Sequence, residues 1–150
     1  DTKRNPNHSY SFIPRWQIDA IKLLLGIVYF YAGLAKLNSD WLLSAMPLKI
    51  WLPTATDLPI LHSLFQYKSV IFSFAWFGAL YDLSIPFLLL YSKTRKLAFG
   101  MVVVFHAITA ILFPIGLFPY IMILSALIFF DTNFHQNIIN SLKKVFREIF

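Results

Sequence analysis

Cysteine is absent from this 150-residue sequence, and charged side chains are scarce. Without cysteine the chain can form no disulfide, no thiolate metal site and no cysteine nucleophile. Asp, Glu, Lys and Arg together make up 13% of the residues, about half of the ~25% usual in soluble domains. One small soluble core cannot bury the apolar surface that remains. The composition therefore excludes a disordered chain, a coiled coil and an ordinary cytosolic enzyme.

Hydrophobic residues are what the sequence has in abundance. They account for 58% of it, and the mean hydropathy is +0.65. The 16 Phe, 7 Tyr and 4 Trp residues suit helices that cross a bilayer and carry aromatic belts at both interfaces. These features predict an all-α integral membrane bundle, with the lipid bilayer as its first partner.

The longest apolar run, residues 97–130, contains no charged side chain. As one helix it would measure about 50 Å at ~1.5 Å per residue, whereas the hydrocarbon layer is only about 30 Å thick. The run must therefore fold back, and the break is expected at 114–116, because Pro and Gly together mark turns. With two earlier apolar runs, the predicted spans are 18–37, 69–91, 97–113 and 117–131.

Three segments lie outside these spans. Residues 1–17 are predicted to form a polar arm. The loop 38–68 is expected to carry an interfacial helix at 41–52, with a tryptophan near each end as an anchor. The tail, 132–150, alternates an apolar and a cationic face at helical spacing, which predicts an amphipathic helix on the membrane surface.

Most Lys and Arg residues fall on one predicted side of the membrane. Nine lie in the arm, in the short loop 92–96 and in the tail, whereas only Lys49 and Lys68 lie in the opposite loop. The positive-inside rule then places both termini of this chain in the cytoplasm. This bias explains the net charge of +6 without nucleic acid as a partner.

Ionisable residues within spans are costly and are candidates for function, and Lys36 is the first of them. Its neighbours one and two turns back on the helix are Gly33, Ala32 and Tyr29, which predicts a groove of small residues beside the amine. Burial there would favour the neutral amine, which can act as a general base. Alternatively, Lys36 reaches outward to the interface or pairs with Asp40.

Asp82 and His106 are the other two candidates. They lie at equal distances from the loop 92–96 on adjacent antiparallel spans, so we expect them at the same depth and within hydrogen-bond reach, directly or through one water. Asp82 would then orient the imidazole; the alternative is a purely structural bond between helices. The four histidines lack metal-ligand spacing, so no metal site is predicted.

Residues 29–41, YFYAGLAKLNSDW, resemble the Tyr-Phe-x-Ala-Gly-x-x-Lys-Leu-x-x-Asp-Trp motif of vitamin K-dependent γ-carboxylases. The bacterial relatives of these enzymes, the horizontally transferred transmembrane domain family, share the motif. Three further segments resemble the family in the same order, namely DLPILHSLF at 57–65, AWFGALYDLSIPFLLL at 75–90 and FHAITAILFPIGLFPYIMIL at 105–124. The resemblance covers roughly residues 14–131.

The resemblance implies a quinol-coupled lyase. In the carboxylases the motif lysine, matched here by Lys36, deprotonates reduced vitamin K; oxygen then yields a strong base and finally the epoxide. That base removes a γ-proton from a peptide glutamate, and the carbanion attacks CO2. His106 and Asp82 match a histidine and an aspartate of the family. The groove beside Lys36 agrees with this, because it could admit a flat quinone, and Ala32 and Gly33 are therefore the candidate cofactor contacts. His106 joins Lys36 as a candidate catalytic residue, and the supporting residues are Asp82, Asp40 and Tyr29.

Two departures from the family bear on activity. Its members have further N-terminal spans with an Asn-His-Tyr-Tyr segment, and the carboxylases have a large lumenal domain; neither is found in this sequence. We therefore expect a fragment, whose partner is the missing N-terminal half of the membrane domain. The alternative to a carboxylase-like enzyme is a non-catalytic membrane protein that serves as an immunity, signalling or quinone-binding module.

Overall fold

The computed structural model describes residues 13–54 and 59–149, and the described chain is helical. The predicted all-α fold class is confirmed. Its helices are α1 (Arg15–Ala35), α2 (Ser39–Ser44), α3 (Leu48–Trp51), α4 (Pro59–Leu64), α5 (Lys68–Leu90), α6 (Arg95–Leu112), α7 (Phe118–Ala126) and α8 (Thr132–Ile149). Short 3₁₀ turns, Leu52–Thr54 and Leu127–Phe129, extend α3 and α7.

Three helices, α1, α5 and α6, are long and apolar enough to cross a bilayer. They contain 21, 23 and 18 residues. The fourth predicted span is a shorter apolar helix, Phe118–Phe129. It is about 18 Å long at ~1.5 Å per residue, less than the ~30 Å of the hydrocarbon layer. A topology with four complete crossings therefore stays a prediction.

Helices α1 and α5 form the most extensive contact of the bundle. Gly33 allows it, because a Cβ at that position would lie 2.6 Å from Leu83 Cγ and 2.9 Å from the Leu83 backbone nitrogen. Seven residues earlier on α1, Gly26 faces Pro86. Pro86 lies inside α5 without ending it. Tyr29, Tyr81, Ile85, Leu89 and Val102 belong to the buried core that joins α1, α5 and α6.

The turn between α5 and α6 is fixed by side chains that bond to the end of α5. Arg95 donates from Nε to the Leu89 carbonyl and from Nη2 to the Leu90 carbonyl, each at 3.0 Å. Thr94 Oγ1 donates to the Leu88 carbonyl at 2.7 Å. These bonds satisfy carbonyls that a helix end leaves without partners, so α5 and α6 form a tight antiparallel hairpin.

The predicted interfacial helix at 41–52 is instead two short helices, α2 and α3. The chain turns between them because Ala45 takes a left-handed conformation with φ of 52° and a proline follows at position 47. Trp41 is half-buried, and its indole donates to the Ala75 carbonyl of α5 at 2.8 Å. In return, Trp76 of α5 donates to the Leu42 carbonyl at 2.8 Å. The segment thus packs on α5, so Trp41 is a packing residue more than an interfacial anchor.

The charge-free run breaks where the sequence predicts, at residues 113–117 between α6 and α7. Gly116 adopts a φ of +64° there, a conformation that glycine enters readily. The rings of Phe118 and His106 are 6.1 Å apart, so α7 begins beside the middle of α6. At its far end Phe130 packs on Phe99 at 5.3 Å. The chain therefore returns to the second turn of α6.

Candidate functional site

An open cleft of about 1450 Å³ runs along α6 between α1, α5 and the 113–118 segment. Its walls are mostly apolar, and several of the residues that line it are exposed, including Val28, Phe77, Val104 and Ile108. Gly78 and Gly100 line it as well, and a Cβ at either position would meet nothing within 4 Å. The volume exceeds the ~300–1000 Å³ typical of small-molecule sites. The cleft can therefore admit a large apolar ligand.

A lysine–aspartate pair lies in this cleft. Lys36 Nζ is 2.5 Å from Asp82 Oδ2, and both residues line the cavity. The Asp82 side chain is 7% exposed and that of Lys36 is 20% exposed. Burial of a charged group is costly unless it has a partner, and each group supplies the other's counter-charge. The cleft thus holds an ion pair among mostly apolar walls, and Lys96 also lines it.

The last turn of α1 directs Lys36 inward. Lys36 follows the final helical residue, Ala35, and its amine also donates to the Ala32 carbonyl one turn back, at 3.1 Å. The ring of Trp41 lies 5.2 Å from the amine, a distance that permits a cation–π interaction. Three separate contacts therefore hold the amine toward α5 instead of toward the interface.

A second polar pair lies deeper in the same cleft. Tyr29 Oη and His106 Nε2 are 3.4 Å apart, and both residues are buried. Nδ1 of His106 is also buried and meets no hydrogen-bond partner in the described part of the chain. If the tyrosine donates to Nε2, then Nδ1 carries the proton and is left as a donor for a ligand.

Aromatic rings support this second pair. Tyr81, next to Asp82 in the chain, stacks on Phe105 at 3.9 Å and lies 6.2 Å from Tyr29. Because Phe105 precedes His106, this stack places Asp82 and His106 at the same level of adjacent helices. The two polar pairs are therefore held by one rigid aromatic cluster.

The predicted hydrogen bond between Asp82 and His106 is wrong as a direct contact, and the alternative through one water stays a prediction. Asp82 bonds Lys36 and His106 bonds Tyr29, because the inward turn of Lys36 supplies the carboxylate with a cation. The alternative partner of Lys36, Asp40, is exposed in the first turn of α2 and makes no ion pair with it.

The two small residues beside Lys36 have different surroundings. Ala32 lines the cleft, and its role as a cofactor contact stays a prediction. Gly33 faces Leu83 of α5, so the groove predicted at this position is filled by the neighbouring helix. A helix presents successive residues to different sides, which separates Ala32 from Gly33.

Sequence reasoning missed Trp41 and Tyr81 as parts of the site. Trp41 belongs to the family-like motif, but the sequence indicated only a role as an interface anchor. It follows Lys36 by five residues, and α1 ends between Ala35 and Lys36, so helical spacing does not predict that its ring contacts the amine. Tyr81 adjoins Asp82, and its buried hydroxyl finds no partner with hydrogen-bond geometry among the described residues. The signals that pointed to it are its place beside an intramembrane aspartate and in the family-like segment at 75–90.

These features define a class of protein, a multi-pass membrane protein whose helices enclose a buried ionisable pair in an apolar cleft. The chain belongs to the HTTM domain family, which matches it over residues 1–134. That match confirms the family predicted from the motif at 29–41. No solved structure matches the chain.

Proposed function

We propose that this HTTM-domain protein binds a quinol in the cleft and forms part of a vitamin K-dependent γ-carboxylase-like enzyme, with Lys36 as its base. The observation that carries the proposal is the Lys36–Asp82 pair on the wall of a large apolar cavity. It supports a base because Lys36 can pass its proton to the adjacent carboxylate and then act as a neutral amine. Intramembrane ionisable residues are functional candidates by default.

The cleft suits a flat, apolar ring system with a long tail. Aromatic rings from α5 and α6 line the cleft. Gly78 and Gly100 keep it wide, because a larger side chain at either position would extend into the open space. The polar groups converge from two pairs, Lys36–Asp82 and Tyr29–His106. A few placed polar groups in an apolar pocket are typical of ligand sites, and a quinol has two oxygens for them.

Lys36 can accept a proton only as the neutral amine, and Asp82 is within reach to hold the proton that it gives up. His106 Nδ1, which is buried without a protein partner in the described chain, is available to a ligand oxygen. Apolar walls exclude water and so protect a strong base from being quenched. The bound quinol would supply reducing equivalents to oxygen, and peptide glutamate and CO2 would be the remaining substrates.

The second candidate is a non-catalytic quinone-binding, immunity or signalling module. Such a module would use the same cleft but would not need a neutral lysine. Substitutions at Lys36 therefore distinguish the module from the enzyme. The enzyme needs a base, and Lys36→Arg should abolish turnover because guanidinium does not deprotonate in proteins. The assay is quinol epoxidation by membranes that contain the full-length protein.

Ligand binding is tested first, by quenching of tryptophan fluorescence with a naphthoquinone. Trp41 and Trp51 line the cleft, whereas Trp76 faces another side of α5. We expect Trp41→Phe to reduce the quenchable emission and Trp76→Phe to leave it intact. The pair is matched, because each substitution removes one indole–carbonyl bond of 2.8 Å.

A blocking variant checks the place of binding. Gly100→Leu would fill open space on the α6 wall and should weaken quinone affinity at least tenfold while the helix stays intact. Quenching that is equal in all the variants, or untouched by Gly100→Leu, would contradict a quinone site in this cleft.

A further inference from the structure

Helix α8 presents one apolar face and one cationic face, and most of the apolar face is exposed. Phe134, Ile138, Ile139, Val145 and Phe146 fall within an arc of about 140° at ~3.6 residues per turn. The cations Lys143, Lys144 and Arg147 occupy the rest of the circumference. Ile139, Val145 and Phe146 are between 50% and 62% exposed, and α8 makes no extended contact with another helix in the described chain.

The start of α8 is fixed to the edge of the membrane bundle. Phe134 stacks on Phe130 at 4.0 Å, and Phe130 packs on Phe99 in the second turn of α6. Asp131 Oδ1 accepts from the Phe134 backbone nitrogen at 3.0 Å, which caps the helix at this point. The helix therefore leaves the bundle beside the loop that carries Lys93, Arg95 and Lys96.

We infer that α8 lies on the surface of the same bilayer and binds the head groups of acidic phospholipids. An apolar arc opposite a cationic face is typical of helices in the membrane interface, and each Lys or Arg near an anionic surface strengthens binding about fivefold. The cations of α8 and of the 92–96 loop would face one acidic leaflet together. Phe146 and Ile139 enter the acyl boundary, while the amines stay among the phosphates.

The test uses the complete chain in vesicles of phosphatidylcholine, alone or mixed with phosphatidylglycerol. Because the chain has no cysteine, one introduced cysteine takes a spin label at one site. Ile139→Cys and Phe146→Cys report on the apolar arc, and Asn140→Cys reports on the opposite side. Collisions with oxygen mark the bilayer, and collisions with a water-soluble nickel chelate mark the solvent.

In mixed vesicles we expect oxygen to reach labels at 139 and 146 and nickel to reach the label at 140. Lys143→Gln with Arg147→Gln should lower the ratio of bound to free helix about 25-fold, at ~fivefold for each cation. The matched control, Lys49→Gln with Lys68→Gln, removes two cations elsewhere and should change nothing. Raised salt should act like the first variant, because it screens exposed charges.

Three results overturn the inference. Nickel access at 146 equal to that at 140 shows that the helix lies in water. Shielding of 139 and 146 from both probes shows that protein covers the arc, as a second copy of the chain would. Insertion that is equal with and without phosphatidylglycerol, and unaffected by the loss of Lys143 and Arg147, removes the role of acidic lipid.

Discussion

Lys36 and Asp82 depend on each other for stability as well as for chemistry. From the sequence alone, Lys36→Met is expected to maintain or raise stability, because it removes a buried charge. In the structure, however, the same substitution leaves the buried carboxylate of Asp82 without its cation. Removing one partner of a buried ion pair costs ~3 kcal/mol, whereas replacing both by apolar residues is often neutral. The pair therefore has to be tested as a unit.

We expect Lys36→Met and Asp82→Asn each to lower the free energy of unfolding by ~3 kcal/mol, and Lys36→Met/Asp82→Leu by about 1 kcal/mol or less. Thermal unfolding of the purified chain in detergent measures this. Asp19→Asn is the control, since its ion pair with Arg15 is exposed and such pairs contribute little. Additive single effects in the double variant would show that the two residues are not coupled.

The sequence could identify Lys36, Asp82 and His106 because charge inside an apolar run is conspicuous. It could not pair them correctly. Equal distances from the 92–96 loop give depth along a helix but not the direction in which each side chain points. The Lys36–Asp82 contact depends on where α1 ends and on how closely Gly33 lets α5 approach, and both follow from tertiary packing.

The contact between α1 and α5 depends on one missing methyl group. Gly33→Ala would place a Cβ 2.9 Å from the Leu83 backbone nitrogen, where no side-chain rotation can relieve the overlap. We expect a loss of ~1–3 kcal/mol, the usual cost of overpacking, and a weaker Lys36–Asp82 pair because α1 must move outward. Thermal unfolding in detergent measures the loss of stability, and the quinone-quenching assay measures the effect on the cleft that contains the pair.

Gly100→Ala is the matched control for this substitution. It too places alanine within a long helix, but its Cβ meets nothing within 4 Å. Here the helical preference for alanine should raise stability by ~0.5–1 kcal/mol. Equal destabilisation of both variants would mean that close packing at Gly33 is not what holds α1 on α5.

Long helices were predictable and short ones were not. The predicted segments 18–37, 69–91 and 97–113 overlap helices α1, α5 and α6, because long apolar runs leave little choice of structure, and their crossing of the bilayer stays a prediction. The segment 41–52 is a single interfacial helix only if Trp41 faces lipid. Its indole instead bonds Ala75, a contact between residues far apart in sequence that no local pattern reveals.

The sidedness of the whole chain depends on whether the Phe118–Phe129 helix crosses the membrane. It is shorter than the hydrocarbon layer, yet it carries the chain back from the level of His106 to that of Phe99. That return places α8 on the same side as the 92–96 loop. The cation bias then makes this side the cytoplasm, which is our prediction for both termini of the described chain.

Single cysteines in the cysteine-free chain decide the sidedness. Ser44→Cys, Ser92→Cys and Gln136→Cys replace exposed residues and leave every cation in place. With a membrane-impermeant maleimide we expect position 44 to react in intact cells and positions 92 and 136 to react only after permeabilisation. Reaction at 92 but not at 44 in intact cells would reverse the orientation. Reaction at 44 and 136 together would show that the Phe118–Phe129 helix enters the bilayer without crossing it, and α8 would then meet the opposite leaflet from the 92–96 loop.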